Sequence, residues 1–133
     1  MSIQIDISVG ELIDKITILQ IKEEKISDTN KLTNIKKELN VLQEQWSKSH
    51  YVAVDLEGET DSLKKVNEKL WDIEDQIRIK ESKNQFDEEF ISLARSVYII
   101  NDERAAVKRK INNKTDSNLV EEKSYSHYSD ENK

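Results

Sequence analysis

The sequence predicts an all-α domain, and three observations carry that prediction. The 133 residues include no proline and only two glycines, against average usage of about 5% and 7%. Sandwiches, barrels and glycine-rich nucleotide folds need tight turns, and this chain has few residues to make them. Apolar side chains also recur at steps of three and four over long stretches, the spacing of one helical face. Finally, 36% of the residues are charged, with the two signs interspersed as on solvated helix surfaces. The predicted architecture has three main helices, the first broken near 27–30. An antiparallel helical hairpin, made of the first helix with its extension and then the second, packs on the third. A short extended N-terminal arm precedes them.

In the arm, Ile3, Ile5 and Ile7 alternate with polar residues. That period of two suits extended backbone, and the three isoleucines are expected to tuck onto the bundle. The first helix opens at Ser8, which with Glu11 matches the S-x-x-E capping box. Leu12, Ile16, Leu19 and Ile26 form one face, while Ile18 and Ile21 point roughly the other way. A helix apolar on two sides is buried on two sides, so this one is central or lies at a subunit contact. The step of six from Ile26 to Leu32 breaks the phase, and Asp28 can cap a new helix. Leu32, Ile35, Leu39, Leu42 and Trp46 then step 3, 4, 3, 4, an a/d seam of about two heptads. It suits a coiled-coil arm or a kinked continuation, and it is the predicted interface of a homo-oligomer or a protein partner.

Residues 47–59 interrupt the helical pattern. They hold Gly58 and the β-favouring run Tyr51-Val52-Ala53-Val54, read as a loop with a short strand. The second helix is predicted from Thr60 or Asp61, with Leu63, Val66, Leu70, Ile73 and Ile77 as its seam and Trp71 and Ile79 widening it; a turn over Ser82 to Gln85 ends it. The third starts near Asp87 and runs on Phe90, Ala94 and Val97 to Ile111. The helical domain is thus 1–113. The polar remainder, 114–133, is expected to be disordered.

The third helix breaks its own rule. Its apolar row past Val97 continues through Asn101, Arg104 and Lys108, where bulky apolar residues belong. Burying charges without partners is costly, and places where a pattern fails are candidates for function. Similar intrusions occur at Lys15 and Lys22 in the first helix, at Glu74, Asp75 and Arg78 in the second, and at Arg95, Tyr98 and Asp102 in the third. Together these residues are the candidate lining of a polar pocket between helices. Arginine forks suit carboxylate or phosphate recognition, so a small anionic ligand is the implied guest. The competing reading makes them surface pairs at i,i+3 and i,i+4 spacing and buried ion pairs within a bundle.

Other chemistries are excluded or weak. The net charge of −6 and the absence of a basic stripe argue against nucleic acid. No apolar run approaches a membrane span of about 18 residues. The start of the sequence has no basic stretch before an apolar one, so no secretory signal is read, and a cytoplasmic location is expected. There is no cysteine, hence no disulfide or thiolate site, and no phosphate-loop or dinucleotide motif. No cofactor or metal is predicted. The weak magnesium candidates are Glu11 with Asp14 and Asp72 with Asp75, pairs spaced three apart on one helix side. The first pair resembles the E-x-x-D element of all-α nucleotide pyrophosphohydrolases, although the E-x-x-E partner is missing ahead of it. Asp75 to Arg78 is similar to a D-x-x-R element of helical chorismate mutases. Ile79 stands where their glutamate would come next, and their arginine-rich first helix is absent.

The segments VGELIDKITILQIK (9–22), LWDIEDQIRIKE (70–81) and FISLARSVYIINDERAAVKRKIN (90–112) resemble a family of small helical proteins of bacteria and marine phages, a domain of unknown function. The likeness covers about residues 1–125, including EEKSY at 121–125. It implies a helical domain whose polar residues on the second and third helices are characteristic, and it gives no residue a role. The sequence supports two functional readings. One is a non-enzymatic self-associating or protein-interaction module using the 32–46 seam. The other is a small enzyme or anion-binding domain using the polar pocket.

Overall fold

A computed structural model describes residues 1–128; the end of the polar tail, 129–133, lies outside the described residues. These form four α-helices and a 3-10 turn, with no strand among them. In order they are α1 (Val9–Lys25), α2 (Thr29–Lys48), the turn His50–Ala53, α3 (Glu57–Ser82) and α4 (Glu88–Thr115). The all-α prediction holds, with four helices in place of three.

The extra helix comes from the interruption at 26–28, which reverses the chain instead of bending it. Ile26 is extended, and the Asp28 carboxylate accepts from the Lys31 N–H at 3.0 Å, capping α2. α2 therefore folds back along α1. Ile35 and Leu39 are buried on Ile16 and Leu19, with Leu12, Ile26, Leu42 and Trp46 packed around them. This corrects the predicted topology: the hairpins are α1–α2 and α3–α4, and α2 lies against α1 instead of extending it. Ile35, Leu39, Leu42 and Trp46 of the heptad seam pack on α1 within the chain; spacing alone does not decide this, because an intramolecular and an intermolecular seam demand the same repeat.

Two further expectations change. The Tyr51–Val54 run forms the 3-10 turn, with Ser49 Oγ accepting from Tyr51 N at 3.0 Å. α3 starts at Glu57, ahead of Thr60. There Asp55 accepts from Glu57 N at 3.2 Å, and Glu57 and Glu59 in the first turn suit the positive end of the helix dipole. The arm also departs from expectation. Ile3 and Ile5 are 92% and 73% exposed, and only Ile7 is half-buried, because no helix passes beside residues 3–5 to receive them.

α1 is the central element and touches each of the other helices. Its Val9 and Ile13 join Leu56, Leu63 and Ile111 in one core cluster, and its Ile16 and Leu19 join α2 in the other. Three side chains satisfy its leading N–H groups. Ser8 Oγ accepts from Glu11 N (3.1 Å), Asn112 Oδ1 from Gly10 N (2.7 Å) and Ser117 Oγ from Val9 N (3.2 Å). Gly10 is required by proximity: a Cβ there would stand 2.6 Å from the Lys108 carbonyl oxygen.

α3 and α4 contain 26 and 28 residues against 17 in α1, roughly 39 and 42 Å against 26 Å at 1.5 Å per residue. α1 crosses α3 obliquely. Thr17 meets Asn67, whereas Glu24, two turns further on, pairs with Lys64 at 2.6 Å, behind Asn67 in the chain. The outer α3–α4 hairpin is left as a two-helix arm, and no residue from Glu68 to Val107 is buried. Its turn is fastened by Asp87, which caps α4 through Phe90 N (2.9 Å) and accepts from Lys80 (2.9 Å).

Candidate functional site

The oblique course of α1 opens a cleft of about 490 Å³ against the base of the arm, within the usual range for small-molecule sites, about 300–1,000 Å³. α1 supplies Ile18, Ile21 and Lys22, the second apolar side that set this helix apart in the sequence. α3 contributes Asn67, Leu70, Trp71, Glu74, Asp75 and Arg78, a face repeating at three and four. Asn101 and Arg104 come from α4. Apolar walls with a few convergent polar groups are the usual make-up of such sites.

Behind the cleft lies a buried polar network centred on Asp14, which is 0% exposed. Arg104 donates two hydrogen bonds to its carboxylate, from Nε to Oδ1 at 3.0 Å and from Nη2 to Oδ2. Asn67 Nδ2 donates to Asp14 Oδ1 (2.9 Å) and to Thr17 Oγ1 (3.1 Å), and Thr17 in turn donates to the Asp14 carbonyl oxygen (2.8 Å). The bidentate fork fixes the guanidinium plane, and the hydrogen bond to Asp14 keeps Arg104 firmly protonated despite its partial burial. Lys108 extends the network, donating to Glu11 and Glu121 at 2.6 Å each. Burial pushes its ammonium down, but those two carboxylates outweigh burial and the net shift is upward. Glu121 is held below the ordinary glutamate value by the Lys108 hydrogen bond. Among the described residues, no buried side-chain nitrogen or oxygen lacks a partner.

Of the predicted pocket residues, Lys22, Glu74, Asp75, Arg78, Asn101 and Arg104 line this cleft. The other five lie elsewhere. Lys15 is exposed beside Glu11 (3.6 Å). Lys108 sits in the buried network one turn beyond Arg104 on α4. Asp102 lies near Lys123 (3.7 Å), and Tyr98 leans on Tyr128, ring centroids 5.3 Å apart. Arg95 is exposed on the arm, with no ion-pair partner among the described residues. Sequence reasoning missed Asn67, although Leu63, Asn67, Leu70 and Glu74 step 4, 3, 4 and place an amide on an apolar row. Ile18, Ile21, Leu70 and Trp71 read as core by spacing; Ile21 is indeed buried, Ile18, Leu70 and Trp71 are half-buried, and all four form the cleft's apolar wall. Asp14, a magnesium candidate beside Glu11 by spacing, is committed to Arg104 and Asn67, while Glu11 takes Lys108. Asp72 and Asp75 are exposed, and the described residues contain no cluster of three or more potential metal ligands. No helix among them is long and apolar enough to cross a membrane.

The chain belongs to the family of unknown function DUF6165, whose model matches residues 3–130. No curated protein and no solved structure matches it.

Proposed function

We propose that the chain is a small-molecule-binding domain whose ligand occupies the cleft between α1 and the base of the α3–α4 arm. The observation that carries this reading is the convergence of charged and amide side chains, from three helices, on one apolar-walled concavity beside Trp71. The charge inventory narrows the guest. Arg104 is committed to Asp14, and Arg78 leans on Glu74 at 3.4 Å. Lys22 has no carboxylate partner among the described residues, and Asp75 has no cation. The ligand is a small organic anion with a flat or apolar portion for Trp71, Leu70 and Ile18 and a hydrogen-bond donor for Asp75.

The test uses the Trp46→Phe chain, in which Trp71 is the single indole. Its fluorescence and melting temperature are followed against aromatic and aliphatic carboxylates and phosphates. A ligand at 100 times its Kd stabilises by about 2.7 kcal/mol. Binding that quenches Trp71 and weakens at least tenfold in Lys22→Ala supports the proposal. A panel without effect, or binding indifferent to both Trp71→Ala and Lys22→Ala, overturns it.

A further inference from the structure

Four of the five large apolar side chains exposed within α-helices lie on the arm: Ile79, Ile91, Tyr98 and Ile99, the other being Val41 on α2. Three of those four are on α4. Spacing places Ile91, Arg95, Tyr98, Ile99 and Asp102 on one side of that helix, opposite the row Leu93, Val97, Ile100 and Arg104 that turns inward. Ile91 is 53% exposed, Tyr98 43% and Ile99 36%. The chain after α4 runs along one edge of the stripe, with Tyr128 against Tyr98 (ring centroids 5.3 Å apart), Lys123 at 3.7 Å from Asp102 and Glu121 to Lys123 beside Ala106, and it still leaves Tyr98 43% exposed. No described residue buries this stripe, and contiguous exposed apolar surface is what marks an interaction site.

The order of charges along the stripe names the occupant. Arg95 and Asp102 lie two turns apart on the same side, with Tyr98 and Ile99 between them and Ile91 and Ala106 outside. Laid antiparallel on a copy of itself, with the two-fold axis between Tyr98 and Ile99, the stripe sets Arg95 of each chain opposite Asp102 of the other. The apolar pair then meets its own image, and Ile91 meets Ala106. A two-fold contact must be self-complementary in this way. Within one chain Arg95 has no ion-pair partner among the described residues, and Asp102 has only Lys123 at 3.7 Å. We infer that the outer face of α4 is the interface of a symmetric dimer, formed by a second copy of this chain through antiparallel α4–α4 contact.

Sedimentation velocity on the full chain tests it. The wild type is expected at twice the mass of one chain. Arg95→Asp sets two acids against each other and should weaken dimerisation at least tenfold, shifting the sedimenting species to the single-chain mass. Arg95 is exposed, so circular dichroism should show intact helix. The double swap Arg95→Asp with Asp102→Arg should restore the dimer. A wild type that sediments as a single chain at high micromolar concentration overturns the inference. So does a dimer indifferent to Arg95→Asp, or one that the double swap fails to restore. None of these outcomes depends on the cleft having a ligand.

Discussion

At the level of single residues, Asp14 is the most consequential side chain. It is fully buried, and Arg104, Asn67 and Thr17 are organised around it. Removing one member of a buried ion pair strands the other and costs about 3–5 kcal/mol. Asp14→Ala should therefore lower the stability measured by urea unfolding by that amount, with Asp14→Asn intermediate because the amide keeps part of the network. Gly10→Ala tests close approach. The new methyl group would meet the Lys108 carbonyl at 2.6 Å, so α1 and α4 must separate, and about 1–3 kcal/mol should be lost. Nothing in the sequence marked Gly10 as special, because its constraint is set by a helix nearly a hundred positions away. Arg104 and Lys108, in contrast, were legible as charges on an apolar row. What the sequence withheld was the identity of their partners, which only tertiary contact decides.

At the scale of the element, α2 shows how one heptad can serve two folds. The capping residues Ser8, Asp28 and Asp87 could all be read from the sequence, and each accepts from the N–H three positions on. The seam Leu32–Trp46 was readable too, but not its destination. Spacing records that a helix has an apolar side and says nothing of which helix covers it. The structure turns Ile35 and Leu39 onto α1. Leu39→Ala should accordingly cost about 2–5 kcal/mol in unfolding while leaving the sedimenting mass unchanged. A change in mass without loss of stability would place the seam between chains instead. The cleft owes its apolar wall to the same ambiguity. Ile18 on α1 and Trp71 on α3 looked like core and are only half-buried on that wall, whereas Ile21 beside them is core, 1% exposed.

Across the whole molecule, the chain after α4 is held by charge. Glu121 receives Lys108, Glu122 receives Arg109 at 2.8 Å, and Lys123 approaches Asp102. Glu121 titrates lower in the folded protein than in the unfolded chain because of its Lys108 hydrogen bond. Its contribution is thus complete above the unfolded value of 4.5 and is lost as pH falls through the depressed folded value. In an NMR titration, the Glu121 carboxyl carbon should show a midpoint below 4.5 that moves back toward it in Lys108→Met. An unshifted midpoint in the wild type would mean that this contact does not persist in solution.

The stitching of α1 to the far end of α4 also orders events in time. Val9 and Gly10 find their acceptors at Ser117 and Asn112, and the carboxylate of Asp14 awaits Arg104. Translation delivers those groups only after α2 and α3. A nascent chain that has emerged only as far as the α3–α4 turn holds α1 without its acceptors and Asp14 without its cation. The central helix can therefore gain these contacts only once α4 has left the ribosome.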